Sequence, residues 1–191
     1  ARSCQGCSMR VWKPPFRMLE GAVQSGRIGA YGIASWNAFR VAPDQPAYMA
    51  LSHAKALAQR AADGKPDHFH YVQMPLNLAM TEGLTSSTQE VGGKMYPAVR
   101  AATLLGLRVM ASGAIRQAKL GTLPSHVNKA LGEDLTSDAQ RALQFTRSAP
   151  GVGTALVGLK QPTHVSEALA LCTQAPMAPS AVLGMFGKPK T

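Results

Sequence analysis

The sequence has few cysteines, few acidic residues and no long apolar run. Its three cysteines are an odd number, which argues against the disulfide framework of a small secreted domain. The longest uncharged run, Ala168 to Gly187, is interrupted by prolines and polar residues, so the sequence predicts no membrane span. The ten Asp and Glu residues are dispersed, which disfavours a hydrolase built on paired carboxylates. No Gly-x-Ser-x-Gly motif occurs either, so nucleophilic hydrolysis has no sequence support.

The charge of the chain is strongly basic. Twenty Lys and Arg residues against ten Asp and Glu residues give a formal net charge of +10. Such a charge permits attraction to nucleic acid, and a basic nucleic-acid-associated protein is one alternative interpretation. However, the basic residues occur in no run of four and have no interleaved aromatic residues to stack on bases. A solvated basic surface is the favoured interpretation, and nucleic acid is not expected as a partner.

The length and composition of the chain fit one globular domain. The 191 residues are 46% hydrophobic, which is enough to build a core. The first fifteen residues lack the apolar stretch of a secretory signal. We therefore expect an intracellular protein, cytoplasmic or organellar, with no membrane association.

Helical and strand patterns alternate along the chain. Strand starts are predicted near residues 28, 70, 107 and 154, which gives a spacing of roughly 40 residues, the size of a strand–helix unit. This spacing predicts an α/β fold with parallel strands, in which a helix comes first. Ser137 followed by Gln140 has the spacing of a capping box and predicts a helix over 138–148. Further helices are predicted from Phe16, over 48–61, over 95–105 and from Pro162, and the tail after Leu171 is expected to be irregular.

Three short motifs have little support as functional sites. Cys4 and Cys7 form a Cys-x-x-Cys pair, but suitable further zinc ligands are missing, which favours an incidental pair. His68 and His70 share one face of a strand, yet no third metal ligand is evident. The glycines over 151–158 precede or span a strand and are not followed by Lys-Ser or Lys-Thr, so neither a Walker loop nor a dinucleotide fingerprint is present.

A more informative group of residues follows the last predicted strand. Gly158, Lys160, Pro162 and His164 lead into a helix N-terminus, where free N–H groups, the helix dipole and nearby cations attract a phosphate. The last strand–helix loops of a parallel barrel are a known phosphate location. An ordinary capped helix explains the same residues equally well, and the sequence alone leaves both interpretations open.

Five segments of the chain match consecutive parts of one known protein family. The segment from Gly26 to Trp36 (GRIGAYGIASW) resembles the entry to its fifth strand, and 72–77 (VQMPLN) resembles its sixth. The segment over 107–120 resembles the seventh strand and its loop. The segments over 142–152 and 154–169 resemble the eighth strand and its helix. The family that these segments resemble is that of the aldo/keto reductases, and the resemblance runs from about residue 16 to residue 171.

The resemblance implies the second half of a (β/α)8 TIM-type barrel. On this interpretation, residues 1–15 are an unmatched N-terminal segment, 16–172 form the half barrel and 173–191 form an irregular tail. It implies an oxidoreductase that reduces carbonyls or oxidises alcohols with NADP, with NAD possible, and without a metal. The substrate expected for the complete protein is a small carbonyl compound or alcohol.

The resemblance also implies cofactor roles for seven positions. Gln73 matches a residue that holds the nicotinamide amide, and Ser35 stands where the family has Asn for the same task. Ser112 occupies a position where many members stack an aromatic ring. His164 stands in the usual Arg position for the 2′-phosphate, and Lys160 is offset from the family's usual Lys. The implied cofactor-binding residues are Ser35, Gln73, Ser112, Gly158, Lys160, His164 and Glu167.

No catalytic residue is assigned. In the family that the chain resembles, the catalytic Asp, Tyr, Lys and His come from the first four strands, and no tyrosine of this chain matches that motif. We therefore expect this chain alone to be inactive and to require the missing barrel half or to associate with itself. The alternative is a truncated or degenerate member that binds a nucleotide or a partner without turnover.

Overall fold

A computed structural model of the chain describes residues 5–115, 131 and 134–186, with side chains from residue 15 onward. The helices are α1 (Gln5–Gln24), α2 (Leu51–Ala61), α3 (Glu82–Thr85), α4 (Ala98–Leu104), α5 (Asp138–Ser148), α6 (Pro162–Ala170) and α7 (Pro179–Gly184), with a 3-10 turn at Leu171–Thr173. The strands are β1 (Tyr31–Ala34), β2 (Phe69–Pro75), β3 (Ser87–Val91), β4 (Lys94–Pro97), β5 (Arg108–Ser112) and β6 (Val152–Ala155).

Four strands form one parallel sheet in the order β1-β2-β5-β6. This confirms the α/β class and the parallel strand–helix units predicted from the sequence. Each predicted strand start lies within three residues of the observed start. Strands β1 and β6 form the two edges of the sheet.

The helices pack against one face of this sheet. Side chains that alternate along the strands, such as Val72, Met74 and Val109, are fully buried in a single core cluster with residues of α2, α4 and α5. On the other face, Ala34 and Thr154 are exposed, and Gln73 is half-buried. The sheet therefore has one covered face and one open face, and the open face carries two of the predicted site residues, Gln73 and Ser112.

A hairpin lies within the second predicted strand–helix unit, between β2 and α4. The sequence predicted a helix over 95–105, but Lys94–Pro97 forms β4, which pairs with β3, and the helix begins at Ala98. Gly92 and Gly93 have φ values of 60° and 76°, which suit a tight hairpin turn that residues with a Cβ rarely adopt. The turn extends residues 94–97 alongside β3 and so shortens the helix.

The tail is also more ordered than predicted. Residues 179–184 form α7, and Val182 is fully buried in the core. The ring of Phe186 packs edge-on against that of Phe145, with centroids 5.8 Å apart. Pro179 lies at the start of the helix, where its missing N–H costs no hydrogen bond. The expectation of an irregular tail is therefore wrong at α7, and the remaining domain division stays a prediction.

Candidate nucleotide cavity beyond the last strand

A cavity of about 240 Å³ lies beyond the carboxyl end of β6. Its walls come from the first turns of α5, the loop after β6 and the inner side of α6. Apolar side chains, among them Leu143, Val157 and Leu171, form one part of the lining, and polar groups from Asp138, Gln140 and Glu167 form another. Ligand sites typically combine an apolar wall with a few such polar groups.

Local sequence explains how α5 forms its wall of the cavity. The Ser137 hydroxyl accepts a hydrogen bond from Gln140 N at 3.2 Å, and the Gln140 side-chain oxygen accepts from Ser137 N at the same distance. This is the predicted capping box, and it fixes the first turn of α5. Gln140 Nε2 also donates to the Glu167 carbonyl oxygen at 3.2 Å. The Gln140 side chain thus caps the first turn of α5 and also connects α5 to α6 by a hydrogen bond.

The first turn of α6 presents its backbone toward the loop after β6. Pro162 occupies the first helical position, as predicted, and Gln161 at the N-cap makes no side-chain capping hydrogen bond. Pro162 has no N–H, and the N–H groups of His164 and Val165 donate to the Gln161 carbonyl oxygen, so the positive end of the helix dipole is the main feature of this turn that favours an anion. These features make the entrance of the cavity compatible with an anionic ligand group.

The cavity brings together three of the seven predicted site residues. Gly158, His164 and Glu167 line it, whereas Lys160 does not and lies exposed beside it. Local sequence did not indicate the contribution of α5, in particular Asp138 and Gln140. The capping box locates the start of that helix, but no local pattern shows which loop it packs against.

The other three predicted residues lie near the carboxyl ends of neighbouring strands. Ser35 N donates to the Gln73 carbonyl oxygen at 3.0 Å, and Ser112 is the register partner of Pro75. The Ser35 hydroxyl accepts from Ala38 N at 3.0 Å, so it caps the turn after β1. Gln73 projects from the open face of the sheet and remains half-buried. These residues form a second polar area, separate from the cavity lining.

Trp36 and Asn77, for which the sequence predicts no role, lie at the same end of the sheet. Trp36 is 48% exposed, and its ring approaches Gly113 just after β5. Asn77 is buried and donates to the Gly113 carbonyl oxygen at 2.9 Å, which holds this loop against β2. A half-exposed tryptophan near Gln73 and Ser112 offers a flat apolar surface to a ring-shaped ligand. The signal in the sequence that could have identified Trp36 is its position directly after a predicted strand.

At the opposite end of the strands, a cluster of polar side chains surrounds a single buried carboxylate. Glu20 of α1 is 2% exposed and accepts from Tyr31 Oη at 2.7 Å and from His68 N at 2.9 Å. His68 Nδ1 lies 2.8 Å from its other oxygen and must carry the proton, because a carboxylate only accepts. Burial alone would raise the pKa of Glu20, but these hydrogen bonds and the charge of His68 outweigh it and lower that pKa. Burial is the largest cause of the raised pKa of Tyr31, and the hydrogen bond to Glu20 and the charge of Glu20 raise this pKa further.

The described residues offer no metal centre with three or more protein ligands. The rings of His68 and His70 have centroids 6.1 Å apart, and His68 is already engaged by Glu20. No group of three or more His, Cys, Asp or Glu side chains in this part of the chain could hold a metal ion. The Cys4–Cys7 pair lies outside the residues whose side chains are described. Among the described helices, none combines the length and apolarity that crossing a membrane requires.

Comparison with solved structures identifies the fold. The chain is similar to the thermostable aldo-keto reductase Tm1743, solved with the inhibitor epalrestat, at 15% identity and a TM-score of 0.55, over 85% of this chain and 49% of that one. It is also similar to the holo form of aldo-keto reductase AKR11C1 from Bacillus halodurans, at 16% identity and a TM-score of 0.51, over 88% of this chain and 54% of that one.

These likenesses show that the chain has the aldo-keto reductase fold, as the resemblance implied. The chain spans about half the length of the solved reductases that it matches, so its sheet corresponds to half of a (β/α)8 barrel. No family model matches the chain. No curated protein matches it either.

Proposed function

We propose that this chain is the cofactor-binding half of an oxidoreductase of the aldo-keto reductase type. The complete protein would interconvert a small carbonyl compound and an alcohol with a nicotinamide dinucleotide. The observation that carries the proposal is the cavity at the carboxyl end of β6, in a sheet with the fold of half a reductase barrel. In barrels of parallel strands, ligand sites lie at this end of the strands.

The cavity suits the adenosine end of the dinucleotide. Leu143, Val157 and Leu171 provide apolar contacts for a purine, and the polar side chains of Asp138 and Glu167 can accept hydrogen bonds from ribose hydroxyl groups. The N–H groups of His164 and Val165 already donate to the Gln161 carbonyl oxygen, so the first turn of α6 would favour a phosphate mainly through the positive end of its helix dipole. When bound, the nicotinamide supplies the hydride that the carbonyl carbon accepts.

The nicotinamide end would extend over the second polar area. Gln73 offers both a carbonyl and an amino group to an amide, and Trp36 offers a stacking surface beside it. The chain would therefore bind and orient the cofactor from two points on one end of the sheet. Positioning of this kind accounts for a large share of catalysis in hydride transfer.

The proton donor for the carbonyl oxygen would come from outside this chain. A general acid that works near neutral pH needs a pKa close to that range. Burial raises the pKa of Tyr48, and that of Tyr31 is raised as well, which makes both phenols poorer acids. Tyr31 is also engaged by Glu20 at the opposite end of the strands. We therefore propose that the isolated chain binds nucleotide without turnover.

The missing barrel half, or a second copy of the chain, is proposed as the partner of the open sheet face. Strands β1 and β6 are both sheet edges, and exposed edges readily accept further strands. A closed barrel of eight parallel strands would satisfy both edges and cover the open face. The four strands observed here provide half of that number.

Titration of chain 1–191 with NADH and NADPH tests the cofactor-binding proposal. Ala168→Leu adds three carbons to a side chain that lines the cavity and should weaken binding about tenfold, the equivalent of 1.4 kcal/mol. Ala170→Leu makes the same change at an exposed position on α6 that does not line the cavity and should leave affinity unchanged. Failure of the unsubstituted chain to bind either dinucleotide would contradict the proposed function.

A further inference from the structure

Two histidines at the amino end of β2 form a pair that the proposed function does not use. His68 directly precedes the strand, and His70 is its second residue. Their ring centroids lie 6.1 Å apart, with an angle of 41° between the ring planes. His70 is exposed and the side chain of His68 is 35% exposed, so a small solute can reach both rings. Imidazole nitrogens are common ligands of divalent transition-metal ions, which makes the pair a candidate cation site.

The backbone at the start of β2 leaves His70 outside the regular pairing of the sheet. Tyr31 of β1 pairs with Phe69, but the next residue, Gly32, pairs with Tyr71, so the register shifts at His70. The pairing of β2 with β5 also begins only at Tyr71. A bulge of this kind redirects the side chain of its extra residue. The exposed ring of His70 is therefore free to rotate about its side-chain bonds.

His68, by contrast, is held in place on three sides. Its backbone N–H donates to Glu20 Oε1 at 2.9 Å, and its carbonyl oxygen accepts from Tyr31 N at 3.0 Å. Its Nδ1 lies 2.8 Å from Glu20 Oε2 and carries the proton of this contact. The contact engages only Nδ1, so Nε2 of the neutral ring keeps a lone pair, and no hydrogen bond involves Nε2 in the described part of the chain.

The contact between Glu20 and His68 is of the kind that orients metal-binding histidines. Such a histidine typically donates its second ring N–H to a carboxylate, which fixes the tautomer and makes the ligating nitrogen more basic. The neighbouring carboxylate of Asp67 cannot take this role, because it is paired with Lys55 at 2.8 Å and accepts from Phe69 N at 3.1 Å. Glu20 is therefore the group that prepares His68 as a ligand.

The distance between the rings is close to that of two imidazoles on one ion. Metal–nitrogen bonds of about 2.0–2.1 Å place two such centroids about 5 Å apart at a tetrahedral angle. Rotation of the exposed His70 side chain can close the remaining gap from 6.1 Å. Since no third His, Cys, Asp or Glu ligand joins the pair in the described part of the chain, water would complete the coordination.

We propose that His68 and His70 together bind one divalent ion of the zinc, nickel or copper type, with Glu20 as the positioning residue for His68. The class of ion follows from the imidazole ligands, because Mg²⁺ and Ca²⁺ prefer oxygen ligands. The site lies at the end of the strands opposite the candidate cavity, so it does not depend on the proposed function. An ion bound there would stabilise the folded chain, since it binds the pair only in this geometry.

Calorimetric titration of Zn²⁺ into chain 1–191 without an affinity tag tests the pair. Replacement of Cys4, Cys7 and Cys172 by Ser first removes the competing thiols. We expect one Zn²⁺ to bind per chain and Mg²⁺ not to compete with it. His70→Gln removes one ligand and should weaken binding by at least about tenfold. His164→Gln makes the same change at an exposed position near the opposite end of the strands and should leave the affinity for Zn²⁺ unchanged.

Glu20→Gln and Tyr31→Phe test the positioning role of Glu20. Both changes remove a hydrogen bond from the same buried cluster, but only Glu20→Gln alters the carboxylate that faces His68 Nδ1. Glu20→Gln should therefore weaken Zn²⁺ binding about tenfold, whereas Tyr31→Phe should leave it unchanged. Both titrations are made below the melting range of the variants, so that a loss of stability does not imitate a loss of affinity.

Two results would overturn the proposal. If the chain binds no Zn²⁺, or if His70→Gln binds it as tightly as His164→Gln does, the histidine pair is not a metal site. If Glu20→Gln weakens binding no more than Tyr31→Phe does, the carboxylate does not position His68 and that part of the proposal is wrong. Neither result changes the expected binding of a dinucleotide, so the proposed function is tested separately.

Discussion

Glu20 shows at the scale of single residues how the fold couples stability to pH. Its carboxylate is buried and satisfied only while it is charged, because it accepts from Tyr31 and His68. Its pKa in the folded chain lies below the ordinary value of 4.5. The stabilisation is therefore complete above pH 4.5 and is lost as pH falls toward the lowered pKa. The pKa of Tyr31 is raised above its ordinary value of 10. Its contribution to the free energy of unfolding is therefore complete below pH 10 and declines as pH rises above 10.

Glu20→Gln and Tyr31→Phe separate these two effects. At neutral pH each should lower the free energy of unfolding by about 1.5–3 kcal/mol, the usual worth of hydrogen bonds to a charged group. Glu20→Gln should also flatten the fall in stability below pH 4.5, and Tyr31→Phe the fall above pH 10. Urea unfolding across this range measures both. Equal pH profiles for the two variants and the unsubstituted chain would show that the cluster does not set the dependence.

The position of this cluster adds a second expectation. Tyr31 begins β1, at the end of the strands opposite the candidate cavity. Residues at the amino end of barrel strands serve stability, whereas those at the carboxyl end bind ligands. Tyr31→Phe should therefore lower stability while nucleotide affinity, measured below the melting range, stays constant.

At the scale of elements, Gln89 on β3 connects three segments. Helix α2 begins after Ala50, which has no side-chain cap, and Gln89 Oε1 instead accepts from Leu51 N at 2.8 Å. Its Nε2 donates to the carbonyl oxygens of Phe39 and Met49, both at 3.2 Å. A fully buried amide from the hairpin thus caps a helix and holds the preceding loop.

Replacement of Gln89 by Leu should destabilise the chain by about 2–4 kcal/mol, because several buried backbone groups lose their partners at similar side-chain volume. Glu90→Gln on the same strand is exposed and should change stability by less than about 0.5 kcal/mol. Chemical denaturation of the two variants gives the comparison. A cost for Gln89→Leu no larger than that of the control would show that the hairpin is not the cap of α2.

The elements that the sequence predicts correctly are those determined by interactions between residues close together in the chain. The capping box at Ser137 and Gln140, the proline at the start of α6 and the β-rich runs of β2 and β5 act over a few residues, and all were located. The hairpin β3–β4 was missed because the apolar spacing of Tyr96 and Val99 also fits a helix, and the turn glycines outweigh that spacing. Helix α7 was missed because its stability comes from burial of Val182 in the distant core.

The candidate site was predictable only in part for the same reason. Gly158, His164 and Glu167 are close along the chain, so a single loop and helix bring them to one cavity. Asp138 and Gln140 reach the cavity through packing of α5 against α6, a contact that no local periodicity specifies.

At the scale of the whole molecule, the open face and the two edge strands make the isolated chain prone to associate. Gly32, Ala34 and Thr154 are exposed on that face, while Tyr71 and Met110 are only half-buried. Parallel sheets in native proteins are normally covered on both faces. We therefore expect chain 1–191 to self-associate or to melt without a sharp cooperative transition.

The net charge sets the direction in which salt acts on this association. Two copies that each carry a charge of +10 repel, whereas burial of the open face favours contact. Added salt screens the repulsion, so the apparent mass of chain 1–191 measured by light scattering should rise with ionic strength. Thr154→Lys places a charge on the open face and should keep the chain smaller than Thr163→Lys, the same change at an exposed position on α6. A strictly monomeric chain with a sharp melt at every salt concentration would mean that the open face needs no cover, and the proposed barrel partner would lose its physical basis.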